Sequence, residues 1–371
     1  MKKIPLLVPD LPRADALLPY LRRIDEARWH TNFGPLVREL EVRVLKELLP
    51  GAARPLHVTT VSNCTAGLEL ALLAFKLPLK SRVLVPALTF VASATAIVRA
   101  GCEPVIADVD PERWTLTPEI ARKAMRDCSF SAVMPVAAFG APHSTDDWDA
   151  FSNETGLPVL LDAAGAMGNQ SVGAAGAVAF SLHATKALGA GECGLVVSSD
   201  SALIEKIRRL SNFGIDISNS LVTDVGTNAK VSEYQAVVAL AALDAWPEKR
   251  RRRIDVWHKY AELLVVHGVE FQEKPKNGIY SMMPVRLPAG ADAGIVAGGL
   301  RRRGIETRRW YQPLLFEHPA FCGFHRAGDL ANVRALAKRL LGLPFYPQME
   351  PQAMAFVANC LGEELGNPGK G

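Results

Sequence analysis

The sequence predicts an α/β protein, with a mainly parallel sheet covered by helices on both faces and a smaller α+β region after it. Three observations carry that expectation. Strand-like and helix-like segments alternate through the first two thirds of the chain. The strand-like segments are near-continuous apolar runs, as expected of strands buried on both faces. After about residue 231 the rhythm gives way to long helices and shorter strands.

The elements follow in order. Asn63 and Thr65 open a helix over 65–76. A strand over 82–85 is stopped by Pro86, and a helix over 89–99 ends at Gly101. A strand at 104–108, a helix at 118–125, a strand at 132–136, a helix at 146–155 and a strand at 158–162 come next. Residues 177–197 read as an apolar strand, a short polar turn ending in Lys186, a Gly-rich loop and a second apolar strand. An Ala-rich helix over 231–245 ends before Pro247, and a charged helix covers 249–266. A strand at 279–286 and helices near 294–303 and 330–341 complete the reading. The change of character places a boundary at 245/246. Residues 1–245 form an N-terminal arm and large domain, and 246–371 a small C-terminal domain.

Composition excludes several classes. The 371 residues are 49% hydrophobic and 22% charged, as in ordinary globular proteins. No apolar run reaches the roughly 18 residues of a membrane span. Residues 1–10 begin basic but lack the apolar core of a secretion signal. The six cysteines (Cys64, Cys102, Cys128, Cys193, Cys322, Cys360) form no C-x-x-C pair. That predicts reduced thiols in a cytoplasm, with no disulfide framework and no metal site. The net charge is only +4, and the basic runs at 249–253 and at 301–303 with Arg308 and Arg309 are short and separated. They do not make a nucleic-acid face. A solvated helix face is the reading for 249–253, with a phosphorylated small molecule as the alternative partner for some of these arginines.

The residues that carry chemistry lie at strand ends, where open parallel sheets bind ligands. Lys186 sits between two apolar strands, so its amine is partly desolvated and usable as a nucleophile. Asp162 ends a strand and faces the same edge, where a carboxylate can hold a protonated ring nitrogen or cap a turn. Residues 62–67 (Ser-Asn-Cys-Thr-Ala-Gly) precede an apolar helix, which makes either an ordinary N-cap or a phosphate cradle. Phe90, just past a strand, stacks on a planar ring or fills the core, and Ser181 is a hydroxyl at a strand end.

The order of these features resembles that of fold type I pyridoxal phosphate (PLP) enzymes, and in particular the nucleotide-sugar aminotransferases of the DegT/StrS type. The segments that carry the resemblance include Asn32-Phe-Gly-Pro35, Ser62-Asn-Cys-Thr-Ala66, Val85-Pro-Ala-Leu-Thr-Phe90, Asp162-Ala-Ala164, Phe180-Ser-Leu-His-Ala-Thr-Lys186, Gly226-Thr-Asn228, Tyr311-Gln-Pro-Leu314 and Leu343-Pro-Phe-Tyr-Pro347. The resemblance implies a seven-stranded-type, mainly parallel sheet in a large PLP-binding domain, with a small C-terminal α+β domain. It implies that Lys186 joins covalently to PLP and shuttles the proton, and that Asp162 partners the ring nitrogen. Thr65, the Ala66 amide and Ser181 then hold the phosphate, Phe90 covers the ring, and Asn228 reaches the phosphate of a neighbouring subunit in a homodimer. His183, Lys230, Arg308 and Tyr311 are the implied substrate contacts.

The implied reaction moves an amino group from glutamate to a nucleotide-linked keto-deoxysugar, at C4 of a 4-keto-6-deoxyhexose. That is a step of deoxyaminosugar biosynthesis, as for O-antigen or lipopolysaccharide. A C3-sugar or cyclitol aminotransferase and a non-catalytic PLP-binding regulator are the alternatives. Lys186 argues against the family branch that removes a hydroxyl and carries histidine there. Three positions depart from the family pattern: Gly165 stands where Gln or His is usual, and Cys64 and Cys193 stand where glycine is common.

Overall fold

The computed structural model describes residues 3–49, 52, 54–273, 275 and 277–366. The first two residues of the basic N-terminal stretch and the last five of the C-terminal region lie outside them. Helices α1 (Ala14–Ala27) and α2 (Pro35–Leu48) come first. Seven strands and their crossover helices follow: β1 (His57–Val61), α3 (Cys64–Ala74), β2 (Arg82–Pro86), α4 (Val91–Arg99), β3 (Glu103–Ala107), α5 (Pro118–Asp127), β4 (Ala132–Val133), α6 (Thr145–Thr155), β5 (Leu160–Asp162), β6 (Ala177–Ser181) and β7 (Gly194–Ser198). Then come α7 (Ser201–Leu210), the hairpin β8 (Ile215–Asp216) and β9 (Leu221–Val222), α8 (Glu233–Asp244) and α9 (Trp246–Val265). The rest comprises β10 (Glu270–Phe271), β11 (Met283–Arg286), α10 (Ala293–Arg302), β12 (Arg326–Ala327), α11 (Ala331–Arg339), β13 (Leu340–Leu343) and α12 (Pro351–Glu364).

Two ladders form the main sheet, in the orders β1-β7-β6-β5 and β4-β2-β3-β12. Parallel bridges Val133↔Val159 and Val136↔Asp162 join β4 to β5. The joined sheet therefore runs β1-β7-β6-β5-β4-β2-β3-β12. Both neighbours of β7 pair with it antiparallel, and the other ladders are parallel. The seven-stranded, mainly parallel expectation holds. The eighth strand is an addition: β12 comes from residue 326 and pairs with the outer edge of β3. The strands are buried because helices cover both faces. Phe180 and Leu195 are fully buried, each stabilising the fold by about 1.5–3 kcal/mol.

A second, antiparallel sheet, β10-β11-β13, packs under α9, α10 and α12 in a core of its own. Trp310, Leu314, Phe316, Leu330 and Val333 belong instead to the core that lies against β2 and β3. No helix among the described residues is long and apolar enough to cross a membrane.

Three local expectations change. Helix α9 starts at Trp246, because Pro247 falls in its first turn, where no backbone N–H is needed. Residues 340–341 leave the expected helix and enter β13, whose four residues are all buried against β11. The run 249–253 is not one solvated face: Lys249 and Arg253 turn inward and are only 9% and 3% exposed, while Arg251 pairs with Glu248 and Asp255 at the surface.

Candidate active site

The C-terminal ends of β1, β5 and β6 converge with the N-terminus of α3. Asp162, the last residue of β5, is 5% exposed. Its Oδ2 accepts a 2.7 Å hydrogen bond from Ser93 Oγ, and its Oδ1 accepts from the Ala164 amide at 3.1 Å. Ser93 in turn shares a 2.8 Å bond with Thr89. Burial pushes the Asp162 carboxyl above the ordinary carboxylate range, while these hydrogen bonds and the Lys186 charge pull it back.

Lys186 faces this carboxylate across the crevice. Desolvation lowers its amine below ordinary lysine, against the attraction of Cys64 and Asp162. Its turn is closed by Lys186 N–H to His183 O at 2.8 Å, Ala184 N–H to Gly191 O at 2.8 Å and Ala190 N–H to Leu182 O at 2.7 Å. These bonds fix the backbone and leave the amine to the crevice. Cys64 opens α3 and is buried, and burial followed by the Asp162 charge holds its thiol well above the usual range. Asn63 caps α3 by accepting from the Ala66 amide at 2.9 Å, with Thr65 in the same turn. Ser181 ends β6 and accepts from the His183 amide at 3.2 Å.

Aromatic side chains form the next wall. Phe90 is the N-cap of α4 and 57% exposed, so it is not core. Its ring lies 6.4 Å from Tyr311, and Tyr311 stacks on Phe139 at 5.4 Å and 7°. Burial and then the Asp162 charge raise the Tyr311 phenol above its usual range, while Arg308 opposes them. Tyr311 and Arg308 therefore border the same carboxylate region.

The other expected residues lie differently. The His183 ring bonds Thr185 Oγ1 at 2.9 Å and sits 3.6 Å from Glu192, so its partners are on its own turn. Asn228 Oδ1 accepts from Lys230 Nζ at 2.8 Å, and that amine lies 4.7 Å above the Phe213 ring. Within one chain these two contact each other rather than the crevice.

The three departures have physical settings. Gly165 lies against Gly140, where a Cβ on Gly165 would meet the Gly140 nitrogen at 3.3 Å. Gly140 has φ +88, and a Cβ there would approach Gly165 O to 2.7 Å. The two turns meet backbone to backbone, which leaves no side chain over the crevice from this side. Cys193 is fully buried in the core between the sheet and α2, its thiol pushed up to about 12 by burial, so it is a packing residue.

Sequence reasoning missed Ser93 and Cys64 as neighbours of Asp162. The signal was present for Ser93, a hydroxyl in the first turn of a helix that starts at a strand end. It also missed His143, whose Nε2–H donates to Val136 O at 2.9 Å and whose Nδ1 accepts from Trp148 Nε1 at 3.2 Å. Burial lowers this imidazole to about 4.

A buried carboxylate, a desolvated amine and a helix N-terminus flanked by hydroxyls suit a cofactor with a basic ring nitrogen, an aldehyde and a phosphate. The donor set fits PLP. Comparison with known proteins agrees with this geometry. Residues 14–362 match the model of the DegT/DnrJ/EryC1/StrS aminotransferase family. The dTDP-4-amino-4,6-dideoxy-D-glucose transaminase of Shigella dysenteriae is 28% identical over 98% of this chain and 99% of its own. Protein Rv3402c of Mycobacterium tuberculosis is 30% identical over 97% of this chain and 90% of its own. The crystal structure of DesI in the presence of its TDP-sugar product superposes with a TM-score of 0.87 at 32% identity, over 98% of this chain and 93% of that one.

Proposed function

From the premise that the chain belongs to the DegT/DnrJ/EryC1/StrS aminotransferase family and is PLP-dependent, we propose that it moves an amino group from glutamate to a nucleotide-linked keto-deoxysugar, with C4 of a 4-keto-6-deoxyhexose as the acceptor. One observation carries the reading: the Lys186 amine and the Asp162 carboxylate are desolvated together beside the N-terminus of α3. The Shigella transaminase and DesI, whose structure was determined in the presence of its TDP-sugar product, support a nucleotide-sugar acceptor.

Bound PLP supplies an electron sink and a carrier for the amino group. The chain's own residues do the rest. Asp162, whose carboxylate accepts from Ser93 and the Ala164 amide, would hold the protonated ring nitrogen. Thr65 and Ser181 would take the phosphate, joined by the Ala66 amide once it exchanges its bond to Asn63, where the helix N-terminus favours negative charge. Lys186 Nζ would hold the aldehyde end of the cofactor, and when free its amine is the chain's own group for accepting a proton and returning it. Phe90 would cover the ring, Tyr311, Arg308 and His183 would meet the substrate, and Lys230 would do so only from a second copy.

A homodimer completes the site, with Asn228 of a second copy reaching the phosphate. The apolar residues beside Asn228 support this: Phe213, Ile217, Leu221, Val222 and Val225 are all exposed in the single chain. The six cysteines are free, in keeping with a reducing cytoplasm. The division at 245/246 belongs to the same proposal, with 1–245 holding the cofactor, while Arg326–Ala327 from the second part joins the main sheet.

The test is spectroscopic and then chemical. Purified protein absorbs in the visible with PLP, glutamate bleaches it, and Lys186→Ala abolishes the band. Mass spectrometry of products from dTDP-, UDP- and GDP-linked keto-sugars then identifies the acceptor. A protein that PLP cannot colour, or one that binds PLP but turns over no keto-sugar, as a regulator would behave, overturns the proposal.

A further inference from the structure

Residues 3–11 run as an extended arm over the outside of the molecule before α1 begins. Ile4 bridges to Ile305, with Ile4 N–H to Gly304 O at 2.9 Å and Glu306 N–H to Ile4 O at 3.0 Å. The Leu6 amide donates to Glu306 at 3.0 Å, and the Phe345 amide donates to Leu6 O at 2.9 Å. So far the arm belongs to the C-terminal sheet region. Asp10 changes that. Its main-chain oxygen accepts from Lys249 Nζ, its carboxylate lies 3.7 Å from the same amine, and Gln348 Nε2 donates to it at 2.9 Å. Arg253, one turn further along α9, also senses the Asp10 charge and keeps its Nε without a hydrogen bond among the described residues.

Asp10 is thus the carboxylate that offsets two inward-facing cations. Such cations without a partner are costly, so the arm is held down where Asp10 docks. The next residue, Leu11, then falls on Gly189. A Cβ on Gly189 would lie 3.2 Å from Leu11 Cδ2 and 2.6 Å from Ala184 O. The missing side chain lets Leu11 seat on bare backbone. Gly189 is three residues after Lys186, within the turn closed by the Ala184–Gly191 and Ala190–Leu182 hydrogen bonds. Leu11 presses on the outside of that turn, and Lys186 projects into the crevice from it.

We propose that Asp10 is a positioning residue for the reaction: docked on Lys249 and Gln348, it seats Leu11 on Gly189 and holds the turn that presents Lys186. The inference rests on the reading of Lys186 given above, but its test reads the turn directly. Hydrogen exchange followed by mass spectrometry, on the protein without added cofactor, compares wild type with Asp10→Asn, Asp10→Glu and Leu11→Ala. Peptides covering 182–191 exchange roughly tenfold faster in Asp10→Asn and Leu11→Ala, and Asp10→Glu recovers most of the protection. In the cofactor-loaded enzyme, kcat falls with the exchange change while KM for the sugar stays within about twofold.

If Asp10→Asn fails to fold, Leu11→Ala carries the test, since it leaves the buried charges paired. Wild-type exchange across 182–191 in Leu11→Ala, or faster exchange confined to the arm, overturns the proposal. A wild-type protein that takes up no PLP sinks the functional reading instead, and the exchange comparison still decides whether arm and turn are coupled.

Discussion

Lys186 and Lys249 both lose solvent on folding, and desolvation lowers both amines below ordinary lysine. Lys249 meets a carboxylate and a main-chain oxygen of Asp10. Lys186 feels the charge of Asp162, but both oxygens of that carboxylate already accept hydrogen bonds, from Ser93 and Ala164. One lysine is buried and partnered, and the other is half-buried beside a carboxylate whose oxygens are already taken. The protein spends hydrogen bonds on the neighbours of Lys186 rather than on Lys186 itself. Stability and reactivity are thus separated by who supplies the partners, since burial is common to both.

The sharpest way to break the contrast is to truncate each lysine. Lys186→Ala lowers turnover by at least roughly 10³-fold, the range of a lost acid–base and nucleophilic group, while the urea midpoint of the cofactor-free protein does not fall. Lys249→Ala costs about 3 kcal/mol in the same urea titration, because Asp10 loses the amine that its carboxylate and main-chain oxygen meet. Equal stability losses in the two variants would erase the distinction.

His143 extends the comparison to a buried base partnered in its neutral form. Its pKa falls from the ordinary 6.5 to about 4. The unfolded chain binds the extra proton between those values and the folded chain does not. Stability is therefore complete above pH 6.5 and declines as pH falls towards 4, by roughly 3 kcal/mol from this group. Denaturant titrations across that window, compared with His143→Gln, isolate the contribution, and the variant loses that part of the slope.

The smallest effect comes from the partner of the partner. Ser93→Ala removes the bond that helps keep Asp162 charged, worth roughly 1.5–3 kcal/mol to a charged group. The Asp162 carboxyl then rises further, so the acid limb of the pH–rate profile moves to higher pH and kcat/KM falls roughly tenfold. An unmoved acid limb would show that Ser93 does not tune Asp162.

Much of this was legible in the sequence because it depends on local pattern. Apolar runs ending in Asp162 and Ser181 announce strands whose last residues face a ligand edge, and Lys186 stands in the turn between two such runs. What was not legible depends on residues far apart in the chain. Helix α2 was not read from the sequence, and its N-terminal amides are capped by distant Glu233, whose carboxylate accepts from Leu36 at 2.8 Å and Val37 at 3.0 Å. The inward turn of Lys249 and Arg253 could not be read from a run of like charges, since the neutralising carboxylate comes from residue 10. Residues 340–341 continue a helical pattern, and only pairing with β11 makes them strand. Asn228 and Lys230 were read from a motif, and within one chain they bond each other.

The eighth strand has a consequence for how the chain is made. Strand β3 has β2 on one side and waits for Arg326–Ala327 on the other. During synthesis the first seven strands emerge long before residue 326 leaves the ribosome. Throughout that interval the backbone N–H and C=O groups along the outer side of β3 remain unpaired, and such an edge invites pairing with other chains. The nascent chain therefore carries this open edge until Arg326 and Ala327 are made and pair with Ile106 and Ala107.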